Sequence, residues 1–174
     1  GCYRDVKDTT VTAQFSIPAD DWKALSEKAN LPKEIWGKPC FVAWTTTPWT
    51  LPSNVALCVG PKIEYVVVET YNPYDAEKLT LVMAASRVAA YLKSEGEITD
   101  GGELPEYERG DKYVPYRIVG RVMGTELEGL HYQQLMPWVK PVEQTGDFAP
   151  KFVNDYAVAH PEKVFTSEDG RDKF

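Results

Sequence analysis

The sequence has little of what most enzymes use for acid–base or metal chemistry. Its 174 residues include only two histidines, His131 and His160, and three cysteines, Cys2, Cys40 and Cys58. The histidines lie far apart and neither has a serine or cysteine signature beside it, which argues against a hydrolase triad. Three widely spaced cysteines fit neither a zinc motif nor a disulfide framework, so reduced thiols and a cytoplasmic location are expected. No apolar run nears the ~20 residues that span a bilayer and no signal peptide opens the chain, so no membrane is expected among its partners. Positive charge is short as well: 19 Lys and Arg against 26 Asp and Glu leave a net charge of −7. A nucleic-acid binder is expected to be basic, because phosphate contact supplies most non-specific affinity. An acidic chain either leaves nucleic acid alone or handles only an end delivered by something else. The acids, Glu168-Asp169-Gly170 included, read as a solvated face without identifiable partners.

What is present suffices for one domain with a real core, since 43% of the residues are hydrophobic. Val11, Ala13, Phe15 and Ile17 alternate with polar residues, the period of a half-buried strand. Pro18 opens a predicted helix to about Ala29, with Asp20 and Asp21 near its positive end and Asn30 as its stop. Trp22, Leu25 and Ala29 share one face of that helix. Further strands are expected at Cys40–Ala43, Val55–Val59, Ile63–Thr70, Lys78–Met83 and Arg117–Met123. A turn is expected at Tyr71–Asp75, and a short helix from Ala84 to Lys93 presenting Val88, Ala89 and Leu92. The acidic, glycine-rich stretch from Glu97 to Lys112 reads as a surface loop, and the prolines beyond Pro137 as winding connections. The sum is an α+β fold, a β-rich barrel, closed or partly closed, with two or three peripheral helices.

One stretch stands apart: Trp44-Thr45-Thr46-Thr47-Pro48-Trp49-Thr50-Leu51-Pro52-Ser53-Asn54 carries four threonine hydroxyls, one carboxamide, two indoles and no charge. Its two prolines forbid a continuous helix and push Thr47 and Leu51 towards extended backbone. A rigid polar loop between two core strands is therefore expected, which is where sites are commonly mounted. Threonine is also a favoured strand residue, so three in a row are by themselves unremarkable as structure.

The stretch closely resembles the threonine-rich motif of the editing domain inserted in isoleucyl-tRNA synthetases. The related valyl and leucyl enzymes carry Thr-Thr-Arg-Pro there, whereas Thr47 followed by Pro48-Trp49-Thr50-Leu51-Pro52 is the isoleucyl form. Two other segments agree. Tyr3-Arg4-Asp5-Val6-Lys7-Asp8 resembles the entry into the insert, and Gly129-Leu130-His131-Tyr132-Gln133-Gln134-Leu135 resembles its Gly-Leu-x-Tyr-x-x-Leu segment.

The resemblance implies a single editing domain over residues 1–174, of the valyl/isoleucyl/leucyl type. The implied activity is hydrolysis of valine misattached to isoleucine tRNA, and of valyl-adenylate, within a parent enzyme that ligates isoleucine to that tRNA. Its partners would be the tRNA 3′ end, valine or valyl-adenylate, and the rest of the synthetase. No cofactor or metal is expected here, ATP and magnesium belonging to the parent's core. Thr45, Thr46 and Thr47 are the catalytic candidates, because neutral hydroxyls both donate and accept and so can hold a water, a ribose hydroxyl and an ester carbonyl. Asn54, Trp49 and Thr50 are the substrate-binding candidates, Trp49 by stacking on the terminal adenine. Trp44 is expected in the core. The family completes its pocket with a later Gly-Thr-Gly segment bearing a histidine and an aspartate, which this sequence lacks. A domain truncated at its C-terminal side is therefore expected, holding the threonine wall of the pocket and not the carboxylate wall. A binding-only module and a structural insert are the rival readings.

Overall fold

A computed structural model describes residues 7–136 other than Lys33, Val55 and Asp100. Five strands form one sheet: β1 (Val11–Ser16), β2 (Lys38–Thr45), β3 (Glu64–Tyr71), β4 (Lys78–Ala84) and β5 (Tyr116–Met123), in the order β1-β2-β4-β3-β5. Neighbours run antiparallel except for β2 and β4, which are parallel. The α+β class holds, but the sheet is not closed. In place of the expected barrel, β1 and β5 stand at opposite edges, because among the strands of the described residues β1 pairs only with β2 and β5 only with β3.

The helix α1 (Ala19–Lys28) starts one residue after Pro18, whose extended backbone caps it, and carries Asp20 and Asp21 in its first turn and Lys28 in its last. Asn30 then takes a left-handed backbone at φ 51° and ends the run. The face bearing Trp22 and Leu25 is buried, with Ala29 packed beside it. The expected helix from Ala84 to Lys93 is instead a string of single turns. One 3-10 turn (Ala85–Arg87) leads into α2 (Val88–Tyr91), and another follows at Ser94–Gly96. Val88 and Leu92 are buried as predicted, while Ala89 is exposed. A last turn, α3 (Gly124–Leu127), follows β5 directly.

Both faces of the sheet are covered. Against one face pack Phe15, Trp22, Leu25, Phe41, Val67 and Val82, and against the other Val66, Val68, Met83, Val88, Leu92 and Tyr116. Consecutive valines of β3 therefore serve opposite cores, as period two demands. Full burial of a side chain such as Leu25 contributes about 1.5–3 kcal/mol.

The segment between α2 and β5 is a surface loop, as expected, yet it is tied down. Leu104 and Tyr107 bury themselves against Tyr71. Arg117 donates to Glu69 at 2.5 Å and to the Gly102 carbonyl at 2.9 Å. The acids are thus not all a solvated face. The Glu69 side chain is 4% exposed and would be costly there without its guanidinium. Exposed Glu64 likewise meets Arg121.

The expected strand over Val55–Val59 is absent from the described part, 56–59, which follows no ladder although Leu57 and Val59 pack against the core. Apolar residues can be buried without a sheet. Val55 itself lies outside the described residues. So do Cys2, residues 3–6 of the entry segment, the connections beyond Pro137, His160 and Glu168-Asp169-Gly170. Among the described residues no helix is long and apolar enough to cross a membrane.

Candidate functional site

Thr45 is the last residue of β2 and pairs with Val11 of β1. Alternation puts its side chain on the same face as Phe41 and Ala43, and it is 5% exposed. A hydroxyl so buried needs partners. It accepts the Thr47 backbone N–H at 3.0 Å and lies 3.2 Å from the Thr47 hydroxyl. The Thr47 hydroxyl lies 3.4 Å from that of Thr50, which donates to the Thr47 carbonyl at 2.8 Å. Three hydroxyls are thereby linked in sequence across the loop. Thr46 is not among them. It is exposed, and its hydroxyl takes no part in that linkage.

From Pro48 to Ser53 the chain forms a 3-10 helix, where the spacing of the prolines predicts extended backbone at Leu51. The two backbone bonds that close it run from Thr50 N to Thr47 O and from Asn54 N to Leu51 O, both 3.0 Å. Neither asks a proline to donate, so Pro52 is tolerated inside. Thr47, at the helix start, keeps a non-helical backbone. Trp49 projects from this turn 66% exposed. Trp44, expected in the core, is 49% exposed. Strand alternation turns it away from Phe41, to the face where its cross-strand neighbour Thr12 donates to Tyr91 at 3.4 Å.

Asn54 closes the loop and is held from two sides. Its amide nitrogen donates to the Ala56 carbonyl at 3.2 Å, and its amide oxygen accepts the Tyr132 hydroxyl at 2.5 Å. Tyr132 sits edge-on to Phe15, ring centroids 5.0 Å apart. Burial pushes the Tyr132 phenol up, with Cys58 adding to the effect, so it remains a donor at neutral pH. The surrounding segment is fastened as well: Asp21 of α1 accepts the His131 backbone N–H and meets its ring nitrogen at 3.0 Å, and Gln133 N donates to Ser16 O. Sequence reasoning passed over Tyr132. The signal that would have found it was the Gly-Leu-x-Tyr segment, 78 residues from Asn54.

Behind Asn54 the chain is squeezed against α3. A Cβ at Gly124 would lie 1.9 Å from the Gly60 carbonyl oxygen, so only glycine allows that approach. The Tyr65 hydroxyl accepts the Gly60 N–H at 3.0 Å. Among the described residues no three His, Cys, Asp or Glu side chains gather as metal ligands.

The chain as a whole is similar to known proteins. Aligned with the isoleucine–tRNA ligase of Bacteroides thetaiotaomicron, 170 residues are 46% identical, covering 98% of this chain and 14% of that protein. The chain belongs to the isoleucine–tRNA ligase family. The isoleucine–tRNA ligase of Porphyromonas gingivalis is 42% identical over 177 residues, again 98% of this chain and 14% of the relative. The cytoplasmic isoleucine–tRNA ligase of Mus musculus is 29% identical over 175 residues, 97% of this chain and 11% of the relative. No family model matches the chain. The chain spans about one seventh of the curated isoleucine–tRNA ligases it matches, 14% in the first of them. With 98% of the chain aligned, the similarity to that ligase takes in both the threonine loop and Tyr132.

Proposed function

We propose that this chain is the editing part of an isoleucine–tRNA ligase, hydrolysing valine esterified to isoleucine tRNA and also valyl-adenylate. The observation that carries this reading is the linked set of hydroxyls on Thr45, Thr47 and Thr50, with exposed Thr46 beside it, at the mouth of a loop without charge. An aminoacyl ester is already activated, so it needs an oriented water and donors for the oxyanion more than it needs a nucleophile. Thr46 offers an exposed hydroxyl to engage the ester or the water. Thr45 and Thr47 hold the backbone beneath it, and Thr50 and Asn54 border the substrate. Trp49 offers an exposed indole on which the terminal adenine can stack.

The need for such an activity is physical. A missing methylene costs only ~1–3 kcal/mol of discrimination, for which isoleucine against valine is itself the standard illustration. A second, smaller pocket must then remove the product that fits. In this reading the whole enzyme supplies the tRNA grip, the ATP and the magnesium in the cytoplasm, and this part needs no cofactor of its own. The net charge of −7 suits a domain that receives a tRNA end and does not capture tRNA itself.

Alanine at Thr45, Thr46 and Thr47 together, in the full-length ligase, should abolish deacylation of valyl-tRNA while leaving isoleucine activation intact. Loss of both activities would make the loop a folding element. A binding-only role is favoured by the hydroxyls of Thr45, Thr47 and Thr50 bonding to one another and to backbone. Capture of a non-hydrolysable valyl-adenosine analogue without turnover of the ester would establish it.

A further inference from the structure

The loop and the Gly129–Leu135 segment touch through one short hydrogen bond, from Tyr132 to Asn54, and together with the Ala56 carbonyl that bond clamps the Asn54 carboxamide. An asparagine amide can be turned by half a rotation at little cost, exchanging its oxygen for its nitrogen. Here the Ala56 carbonyl at 3.2 Å accepts only from nitrogen, which leaves the oxygen facing the Tyr132 hydroxyl at 2.5 Å. With the orientation set, the described residues leave one amide N–H and one oxygen lone pair of Asn54 available for a ligand.

Tyr132 is itself immobilised. Its ring packs edge-on to Phe15, itself 1% exposed, and its neighbours His131 and Gln133 are bonded to Asp21 and Ser16. The phenol is therefore a fixed post and not a rotor that follows Asn54.

We infer that Tyr132 is a positioning residue for the threonine-loop site, holding the Asn54 amide in the orientation that presents a donor N–H to the substrate. This rests on the editing reading of the loop, and it adds a residue that acts through Asn54 without touching substrate. The substrate class it serves is one with an acceptor at that point, such as an ester or ribose oxygen.

The test is Tyr132→Phe in the full-length ligase, which keeps the ring on Phe15 and removes only the hydroxyl. Deacylation of valyl-tRNA should fall about tenfold in kcat/KM, the scale of one lost hydrogen bond, with isoleucine activation unchanged. Asn54→Ala should lose at least as much, and the double variant should be no worse than Asn54→Ala alone, because the tyrosine acts through the amide. Losses that multiply in the double variant, or no loss in Tyr132→Phe, would overturn the inference. A second readout does not depend on activity. The Asn54 side-chain NH2 resonances should shift and exchange faster with solvent in Tyr132→Phe, and unchanged resonances would also overturn it. If the wild-type ligase does not deacylate valyl-tRNA while these resonances do respond, the editing reading fails and the contact stands as structure alone.

Discussion

At the scale of single residues, the threonines divide into one that faces out and others that hold the loop together. Thr45 is the most committed, since its buried hydroxyl is the acceptor for the Thr47 N–H. Thr45→Val keeps the shape and leaves that N–H without its partner. It should cost about 1–3 kcal/mol in a denaturant titration, and Thr45→Ser should recover most of it. The special character of this loop was legible from composition, because four threonines and two prolines without a charge crowd into eleven residues. Trp44 was misplaced for a simple reason. An indole beside a strand reads as core, and only the strand's pairing shows which face it takes. Asn54 was legible as a candidate, but its partner Tyr132 was not, since nothing local links residues so far apart in sequence.

At the scale of elements, alternation served where one face of a strand is buried and the other is not. Val11, Ala13 and Phe15 gave β1 away for that reason. The run Val55–Val59 was misread because a short apolar run has no periodicity to test, and over its described part Leu57 and Val59 pack on the core without a ladder. Just after that run, Gly60 closely approaches Gly124. Gly124→Ala would drive a methyl into a backbone carbonyl, which cannot swing aside as a side chain can. Destabilisation of about 1–3 kcal/mol is expected, with thermal denaturation as the measurement. Residues 57–63 would move with it, so weaker deacylation should accompany the lower melting point.

At the scale of the whole molecule, the α+β class was legible and closure was not. Whether five strands make a barrel depends on whether the two outer strands meet, and pattern within a strand carries no information about that. The parallel pairing of β2 with β4 was equally hidden. Burial of both sheet faces has a titration consequence. It pushes up the Tyr71, Tyr116 and Tyr132 phenols from 10.0 and the Cys40 thiol from 9.0. The folded state thus keeps protons that the unfolded chain releases. Stability should be full below about pH 9 and fall as pH climbs through 9 to 11, which urea midpoints at about pH 8 and about pH 11 would show. The absence of charge from the threonine loop bears, finally, on how the reaction ends. On the editing reading, the substrate ester is neutral at the carbon that reacts, whereas the freed amino acid is a carboxylate. Hydroxyls and an amide in a loop that carries no cation of its own offer that anion no special hold, so product should leave unaided and turnover should not stall on it. Added free valine should inhibit deacylation only at concentrations far above those at which the tRNA ester saturates the enzyme.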